Sequence, residues 1–311
     1  MDLGLKGKTA LVTGASIGIG RGIALGLARE GVRLAVVARR ANLLEELSGE
    51  IVAAGGAKPV LIVENLMTEG ASARIAKAAL EGLGSVDILI NNAGGSRAFK
   101  LDASEEQWHE AMTLNFTRQR QLTHALLDQM MAKKWGRIVN ITGKSEPEGI
   151  NGAFSAKAAV HAWAKGLSRE VGKHGITVNS IPPGRIHSEQ IRRNYTPEYR
   201  KWQADNEIPV GRYGEPEDVA GLVCFLASPL AGYITGTVIP VDGGHELEPY
   251  MLRCTAASGR ADGCYPRIGQ QLRRPNARGT KPFSKPTASP EAGTLLESKA
   301  SPRPAAQQNQ N

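Results

Sequence analysis

The feature that constrains this chain most is a glycine-rich turn between a predicted strand and a predicted helix. The turn reads Thr13-Gly14-Ala15-Ser16-Ile17-Gly18-Ile19-Gly20. The apolar run 9–13 before it is typical of a buried parallel strand, and residues 16–30 after it carry apolar side chains at helical spacing. Glycines at such a joint let the backbone approach a ligand, while the first amides of the helix face a phosphate. The order strand–glycine–helix therefore predicts a dinucleotide-binding site, and a βα turn that binds nothing is the alternative.

Further motifs follow this turn in a fixed order along the chain. They are Asn91-Asn92-Ala93-Gly94 after an apolar strand, Asn115 in a predicted helix, Pro183-Gly184, Gly211-Arg212-Tyr213-Gly214-Glu215-Pro216 and Val241-Asp242-Gly243-Gly244. With the Thr-Gly-x-x-x-Gly-x-Gly spacing, they resemble the short-chain dehydrogenase/reductase family, and within it the 3-oxoacyl reductases, from about Leu3 to Gly244. The resemblance implies an oxidoreductase that acts on a small molecule and assembles as a homodimer or homotetramer.

Apolar strands that alternate with helical segments predict an α/β fold of the Rossmann type, with a doubly wound parallel sheet of about seven strands. The predicted strands are 9–13, 33–38, 59–63, 87–91, 137–142, 177–181 and 237–241, and the long helices lie near 105–131 and 154–173. Right-handed crossovers place ligands at the carboxyl ends of such strands. We therefore expect the glycine turn, residues 91–94, 142–144 and 183–184 to meet in one crevice.

The composition separates a folded body from a tail. Residues 1–250 are close to neutral and predict a single nucleotide-binding domain, whereas most of the net charge of +8 lies in residues 251–311. This basic, proline-rich tail ends in Gln and Asn, a composition that predicts disorder. A basic arm for a nucleic acid or a membrane surface is the alternative. It is disfavoured because the tail has no regular interleaving of aromatic with basic residues and no amphipathic helix.

Cysteine and apolar patterns indicate a cytoplasmic protein without a metal or a membrane segment. The three cysteines, Cys224, Cys254 and Cys264, have no Cys-x-x-Cys spacing and so predict neither a metal site nor a disulfide framework. The uncharged stretch 219–241 contains Pro229 and Pro240, so we expect a helix, a turn and a strand there and no transmembrane segment.

The end of the second predicted strand indicates the coenzyme. Enzymes of this kind that use NAD carry an acidic residue there, which accepts hydrogen bonds from the ribose. Here Ala38 precedes Arg39 and Arg40, and a guanidinium can bind a 2′-phosphate in fork geometry. We therefore expect NADP rather than NAD, although two solvated arginines are the alternative. The resemblance implies coenzyme contacts at Gly14, Ser16, Ile17, Gly18, Ile19, Gly20, Arg39, Arg40, Asn65, Asn92, Ala93, Gly94, Lys157, Pro183, Gly184 and Ile186, with Asn65 where the family usually has aspartate.

The catalytic centre departs from the family pattern. The resemblance implies a serine, a tyrosine and, four residues after the tyrosine, a lysine that lowers the pKa of the phenol. Lys157 matches the lysine, but Ala153 stands at the tyrosine position and Gly143 at the serine position. Phe154 has no proton to donate, and one helical step turns it about 100° away. The usual acid is therefore missing.

Other groups could take over its role. The candidate catalytic residues are Lys157, Asn115, Thr142 and Ser145. Lys144 or a water held near Asn115 and Lys157 is a further candidate. Tyr195 or Tyr199 could also reach the site, since residues 186–208 match the segment that covers the substrate in this family, but surface positions are the favoured interpretation for both tyrosines.

Two hypotheses on function remain open at this stage. The first is an NADP-dependent oxidoreductase that interconverts a carbonyl and an alcohol on a ketone or 3-oxoacyl-type substrate. The second is a non-catalytic NADP-binding or scaffolding protein, which the residues at 143 and 153 motivate. The fold cannot decide between them, because function resides in the site.

Overall fold

A computed structural model of the chain describes residues 1–96, 99–143 and 149–245. The predicted domain boundary at residue 250 and the tail 251–311, predicted to be disordered, lie outside the described residues, as do Lys144 and Ser145.

Six parallel strands form one sheet in the order β3-β2-β1-β4-β5-β6 within the described residues. They are β1 (Thr9–Thr13), β2 (Arg33–Ala38), β3 (Val60–Val63), β4 (Ile88–Asn91), β5 (Gly136–Ile141) and β6 (Ile176–Ile181). β1, β4, β5 and β6 are buried along their whole length, which explains why their sequences are apolar without alternation. The strand order reverses direction beside β1, and ligands of open α/β sheets bind at such a switch point.

The seventh predicted strand, 237–241, does not form a ladder. It contributes only isolated bridges, which pair Val238 with Ser180 and Val241 with Pro183. The physical reason is that Pro182, Pro183 and Pro240 lack the main-chain N–H that a continuous ladder requires. The prediction of a doubly wound parallel sheet is confirmed, with six strands where the sequence suggested about seven.

Nine α-helices connect and flank these strands in the described part of the chain. They are α1 (Gly18–Arg29), α2 (Ala41–Ala53), α3 (Ala71–Leu83), α4 (Glu105–Met112), α5 (Arg118–Lys133), α6 (Gly152–Val171), α7 (Glu189–Asn194), α8 (Pro197–Asn206) and α9 (Pro216–Ala227). A π-helical turn, Thr113–Thr117, joins α4 to α5, so the long helix expected near 105–131 is continuous but locally widened. Across the described ranges, no helix is long and apolar enough to span a membrane.

The helices bury the sheet on both faces. One apolar cluster packs residues of α1, α2 and α9 against the sheet, with Ile23, Leu44 and Val219 fully buried. The other packs α3, α5 and α6 against the opposite face, where Ile75 and Leu122 are fully buried. Helices thus cover both faces of the sheet, and the carboxyl ends of the strands remain accessible to a ligand.

The start of α6 is fixed by a side-chain cap. The side-chain oxygen of Asn151, Oδ1, accepts hydrogen bonds from the main-chain N–H groups of Ala153 (2.9 Å) and Phe154 (3.3 Å). Such a cap satisfies amides that have no partner inside the helix. The cap thereby fixes the residue at which the helix that carries Lys157 begins.

One hydroxyl joins the carboxyl ends of β1 and β4. The Thr13 hydroxyl donates to the carbonyl of Ile90 (3.2 Å) and accepts from the N–H groups of Asn92 and Ala93, both at 3.0 Å. Thr13 is buried, so these groups have no water to replace the hydroxyl. Thr13 therefore holds the loop after β4 against the glycine turn.

Replacing Thr13 with valine tests this link. We expect Thr13→Val to lower the free energy of unfolding in urea by about 2–3 kcal/mol, because the partly buried N–H groups of Asn92 and Ala93 lose their acceptor. Thr9→Val is the matched control, since the Thr9 hydroxyl accepts from the Asp87 N–H (3.0 Å) at the opposite end of the same two strands. The control should lose about 1 kcal/mol.

Dinucleotide binding should separate the two variants. We expect only Thr13→Val to weaken it, because only Thr13 lies at the ligand-facing edge. Equal affinities in the two variants would show that this hydroxyl does not shape the crevice.

Candidate functional site

The glycine turn brings the backbones of two loops into direct contact. Gly14 has φ +66°, and a Cβ on it would lie 2.9 Å from Ala93 Cα. A Cβ on Gly20 would lie 2.3 Å from the carbonyl oxygen of Gly14 and 2.4 Å from Asn92 Nδ2. No side chain fits at either position, which is the close approach that the spacing predicted.

Asn92 fastens this contact. Its side-chain amide donates to the carbonyls of Thr13 (2.9 Å) and Gly14 (3.1 Å). A residue predicted to touch the coenzyme therefore holds the turn that shapes the site. The adjoining Ala93 carbonyl accepts a hydrogen bond from Gln119 Nε2 (3.0 Å), which ties the same loop to α5.

The first turn of α1 fits a bound phosphate. Its N-cap residue, Ile17, makes no side-chain hydrogen bond, and the turn contains no acidic residue. The first amides of this 12-residue helix are thus uncapped by side chains, and its positive dipole end is not neutralised locally. With the glycine cradle beside it, this geometry suits the pyrophosphate of a dinucleotide. Ser16, Ile17, Gly18, Ile19 and Gly20 all lie in this segment, as expected from the sequence.

The two arginines after β2 have different surroundings. Arg40 forms an ion pair with Glu189 of α7 (Nη2–Oε2 3.3 Å). Arg39 is exposed and lines a cavity of about 360 Å³, called the main cavity below. The described residues offer Arg39 no ion pair. Asn65, at the end of β3, accepts the Met67 N–H on its side-chain oxygen (3.2 Å). All three residues lie at the carboxyl ends of β2 and β3, where an adenosine would bind.

Asn115 lies in the π-helical turn and is almost fully buried, with 1% of its surface exposed. Its side-chain amide donates to the Ala111 carbonyl (2.9 Å), and its oxygen accepts the Gly95 N–H (3.1 Å). A Cβ on Gly94 would lie 2.8 Å from this oxygen. The widened turn therefore places Asn115 against the loop that follows β4, as π-turns at functional sites often do.

Lys157 reaches from α6 to the end of β5. Its ammonium donates to the main-chain carbonyl of Thr142 (2.9 Å). Burial lowers the pKa of Lys157 from 10.5 to about 8, because a low-dielectric surrounding disfavours the charged amine. Its Cε lies 3.8 Å from where a Cβ on Gly94 would stand, so the Lys157 side chain lies beside Gly94, which also adjoins Asn115.

The positions of the missing hydroxyls adjoin this lysine. Ala153 is buried (2% exposed) and lines the main cavity. A Cβ on Gly143 would lie 3.2 Å from Lys157 Cδ and 3.4 Å from Phe154 Cδ1. The lysine stem and the Phe154 ring therefore flank Gly143, and neither Ala153 nor Gly143 can donate a proton from its side chain.

The segment after β6 contributes main chain rather than side chains. The Gly184 N–H donates to the Val241 carbonyl (3.0 Å), and a Cβ on Gly184 would lie 2.6 Å from Asp242 Cα. Ile186 is buried (5% exposed) and packs its side chain against Gly214. Only the backbone of Ile186 therefore remains available for the predicted contact with the coenzyme.

The remaining candidates for a proton donor differ in their surroundings. The Thr142 hydroxyl is buried and lies 2.7 Å from Nε2 of His161. The Tyr195 hydroxyl accepts a hydrogen bond from Arg185 Nη1 (3.3 Å), and the ring stacks on Tyr199. Lys144 and Ser145 lie outside the described residues. His161 has no metal-ligand spacing in the sequence, but its spacing of one helical turn from Lys157 puts both side chains on one face of α6.

The main cavity of about 360 Å³ adjoins this site. Its lining includes Arg39, Gly94, Phe99, Leu114, Asn115 and Ala153. This volume suits a small organic molecule. In the described part of the chain, no group of three or more His, Cys, Asp or Glu side chains is placed to hold a metal ion.

Comparison with known proteins assigns the chain to a family. A family model described as enoyl-(acyl carrier protein) reductase matches residues 14–246. The 3-oxoacyl-[acyl-carrier-protein] reductase of Pseudomonas aeruginosa is 36% identical over 246 residues, which cover 78% of this chain and 98% of the relative. The corresponding reductase of Haemophilus influenzae is 37% identical over 244 residues, covering 77% of this chain and 98% of the relative.

Solved structures share the fold and the sequence pattern. A 7α-hydroxysteroid dehydrogenase, solved with NADH and 7-oxoglycochenodeoxycholic acid, superposes with a TM-score of 0.75 at 32% identity and covers 79% of this chain and 98% of its own. The L-sorbose reductase of Gluconobacter frateurii, solved with NADPH and L-sorbose, gives a TM-score of 0.74 at 29% identity, with coverages of 80% and 100%. These two structures hold different nicotinamide coenzymes.

Gly20→Ala tests the cradle directly. We expect the added methyl group to displace Gly14 or Asn92 and to weaken binding of NADP or NAD at least about 10-fold, because the backbone no longer closes on the phosphates. Gly49→Ala is the matched control, since Gly49 also lies within a helix but has no atom within 4 Å of a Cβ. The control should bind normally and gain about 0.5–1 kcal/mol of stability. Normal binding by Gly20→Ala would contradict the assignment of the cradle.

The pKa of Lys157 makes stability depend on pH. In the unfolded chain this pKa returns to its ordinary value of 10.5, so between pH 8 and 10.5 the unfolded state binds more protons than the folded state. The wild type should therefore gain about 2–3 kcal/mol of unfolding free energy relative to Lys157→Met between pH 7 and pH 10.5. Urea denaturation at both pH values measures this, with the exposed Lys165→Met as control. A difference independent of pH would mean that the Lys157 amine is not held in a desolvating environment.

Proposed function

Because the chain belongs to the short-chain dehydrogenase/reductase family, we propose that it is an NADP-dependent oxidoreductase that interconverts a carbonyl and an alcohol. The substrate class is a ketone or a 3-oxoacyl-type compound, as in the reductases and dehydrogenases described above. We assign this function to residues 1–250. The homodimer or homotetramer implied by the resemblance and the cytoplasmic location indicated by the cysteine and apolar patterns stay predictions.

One observation carries the proposal. The Lys157 ammonium, anchored at 2.9 Å on the Thr142 carbonyl, lies beside Gly94 and Asn115, and the latter two line the cavity. The phosphate cradle at Gly14 lies on the same edge of the sheet. A nicotinamide coenzyme that spans these two places supplies a hydride beside a cavity of substrate size.

The residues of this chain then have distinct tasks. The glycine turn and the first amides of α1 bind the pyrophosphate, and Asn92 keeps the turn in shape. Asn115 fixes the loop that borders the cavity. Lys157 holds a proton near the cavity, and with a pKa of about 8 its ammonium is a stronger acid than that of an ordinary lysine while still charged at pH 7.

Lys157 takes the acid role in this account because no phenol stands at residue 153. A positioned general acid typically contributes about 10²–10⁴-fold to a rate. An ammonium of pKa about 8 is well matched to neutral pH, so it can recover part of that factor. We therefore expect turnover, at a rate below that of relatives with a complete set of hydroxyls.

Arg39 supports the choice of NADP. It is exposed at the end of β2, without an ion-pair partner in the described residues, and it lines the cavity. Arg40 already neutralises Glu189. A guanidinium without a competing carboxylate suits a 2′-phosphate, and Ala38 offers no carboxylate that would repel it.

Turnover with a coenzyme and a substrate panel tests the function. The purified full chain is assayed for NADPH oxidation with ketones, 3-oxoacyl thioesters and aldehydes, and for the reverse reaction with alcohols. We expect at least one class to turn over and Lys157→Ala to lower its kcat at least about 100-fold. Lys165→Ala, an exposed lysine on the same helix, should retain the wild-type rate.

One result would favour the non-catalytic alternative, namely tight coenzyme binding without turnover of any class. Turnover that Lys157→Ala leaves intact would instead keep the oxidoreductase and remove Lys157 from its chemistry.

Coenzyme selectivity should depend on Arg39. We expect Arg39→Ala to weaken NADPH binding about 10- to 100-fold, about 1.4–2.8 kcal/mol, and to leave NADH binding unchanged. Arg40→Ala is the matched control and should have a smaller effect, because Arg40 is engaged by Glu189. Quenching of protein fluorescence on titration gives both affinities. Equal losses for NADPH and NADH would assign Arg39 to general charge attraction.

A further inference from the structure

Two side chains on one face of α6 contact the same residue, Thr142, which directly follows β5. Lys157 Nζ donates to the Thr142 carbonyl at 2.9 Å. His161, one turn further along α6, places its Nε2 at 2.7 Å from the Thr142 hydroxyl oxygen. Thr142 thus contacts the Lys157 amine through its carbonyl and the His161 imidazole through its hydroxyl.

The surroundings of Thr142 favour a specific role for this contact. Thr142 is buried with 1% of its surface exposed, and its N–H donates to the Ile181 carbonyl (2.9 Å), which fixes its backbone. His161 is only partly buried. A path from the buried Thr142 hydroxyl through the imidazole therefore leads toward the protein surface.

We propose that Thr142 and His161 form a proton relay that returns to Lys157 the proton given to the product oxygen. The proposal rests on the proposed function, in which Lys157 is the acid. His161 acts through Thr142 and does not itself touch the substrate.

The protons balance as follows in the direction of carbonyl reduction. A Lys157 N–H bond breaks as the product O–H bond forms, and the two electrons move with the hydride. The neutral amine takes a proton from the Thr142 hydroxyl, directly or through one water, while that oxygen takes the Nε2 proton of His161. His161 takes a proton at Nδ1 that is drawn in the end from solvent, and exchange returns the ring to its starting tautomer. One solvent proton is consumed for each alcohol formed.

The protonation state of the imidazole suits this task. Burial and the nearby Lys157 ammonium both lower the pKa of His161. A neutral imidazole has one nitrogen that donates and one that accepts. A relay requires both, whereas an imidazolium can only donate.

The variants separate a relay from a structural role. Thr142→Val removes the hydroxyl and keeps the carbonyl that anchors Lys157, while Thr142→Ser keeps both. His161→Gln keeps a hydrogen-bonding side chain but cannot pass a proton, and His161→Ala leaves space for added imidazole.

We expect Thr142→Val, His161→Gln and His161→Ala to lower kcat about 10- to 100-fold with unchanged KM and coenzyme affinity. Thr142→Ser should stay near the wild type, and added imidazole should restore His161→Ala. Wild-type kcat in His161→Gln, or no rescue of His161→Ala by imidazole, would overturn the relay and leave His161 a structural role.

A measurement without coenzyme tests the hydrogen bond itself. Nitrogen-15 NMR of the histidine rings should show the Nε2 resonance of His161 displaced in Thr142→Val and retained in Thr142→Ser. Identical resonances in the wild type and Thr142→Val would contradict the contact and with it the relay.

Turnover by the wild type distinguishes a failure of the relay from a failure of the proposed function. If the wild type turns over, Lys157→Ala is inactive and the Thr142 and His161 variants are unaffected, the relay alone is wrong. If the wild type turns over no substrate class, the proposed function is wrong, and the relay fails with it.

Discussion

The close approach of two loops at the glycine turn is the constraint on which the rest of the site depends. A Cβ on Gly20 would lie 2.3 Å from the Gly14 carbonyl, so the contact exists only because side chains are absent there. Asn92 and Thr13 close it with hydrogen bonds from both sides. The loop after β4 is thereby fixed, and Gly94 with Asn115 follows in position for the lysine of α6.

In the proposed function, the departure from the family pattern changes the proton donor while the pocket persists. Ala153 and Gly143 supply no proton, yet the lysine that would serve a phenol is still present and partly buried, and its pKa is lowered to about 8. Desolvation makes the ammonium itself a better acid. The Thr142 hydroxyl and His161 lie on the side of Lys157 that faces β5, so proton transfer is proposed to run there.

The sequence allowed much of this to be predicted, for physical reasons that also explain its failures. Continuous apolar strands and the glycine spacing report local burial and local turns, so the sheet and the cradle were predictable. The seventh strand was not, because prolines at 182, 183 and 240 remove ladder N–H groups without changing the apolar pattern. The contact of His161 with Thr142 depends on how α6 docks on β5, which spacing along one chain does not report. The same holds for the π-turn at Asn115 and the pKa of Lys157.

The central claim is that the first crossover of the sheet is a preformed site for a phosphorylated nicotinamide dinucleotide. Isothermal titration calorimetry of the wild-type full chain with NADPH and with NADH measures this most directly. The account predicts saturable binding of one coenzyme per chain, with NADPH the tighter ligand. A folded protein that releases no heat with either coenzyme, over several temperatures, would contradict it.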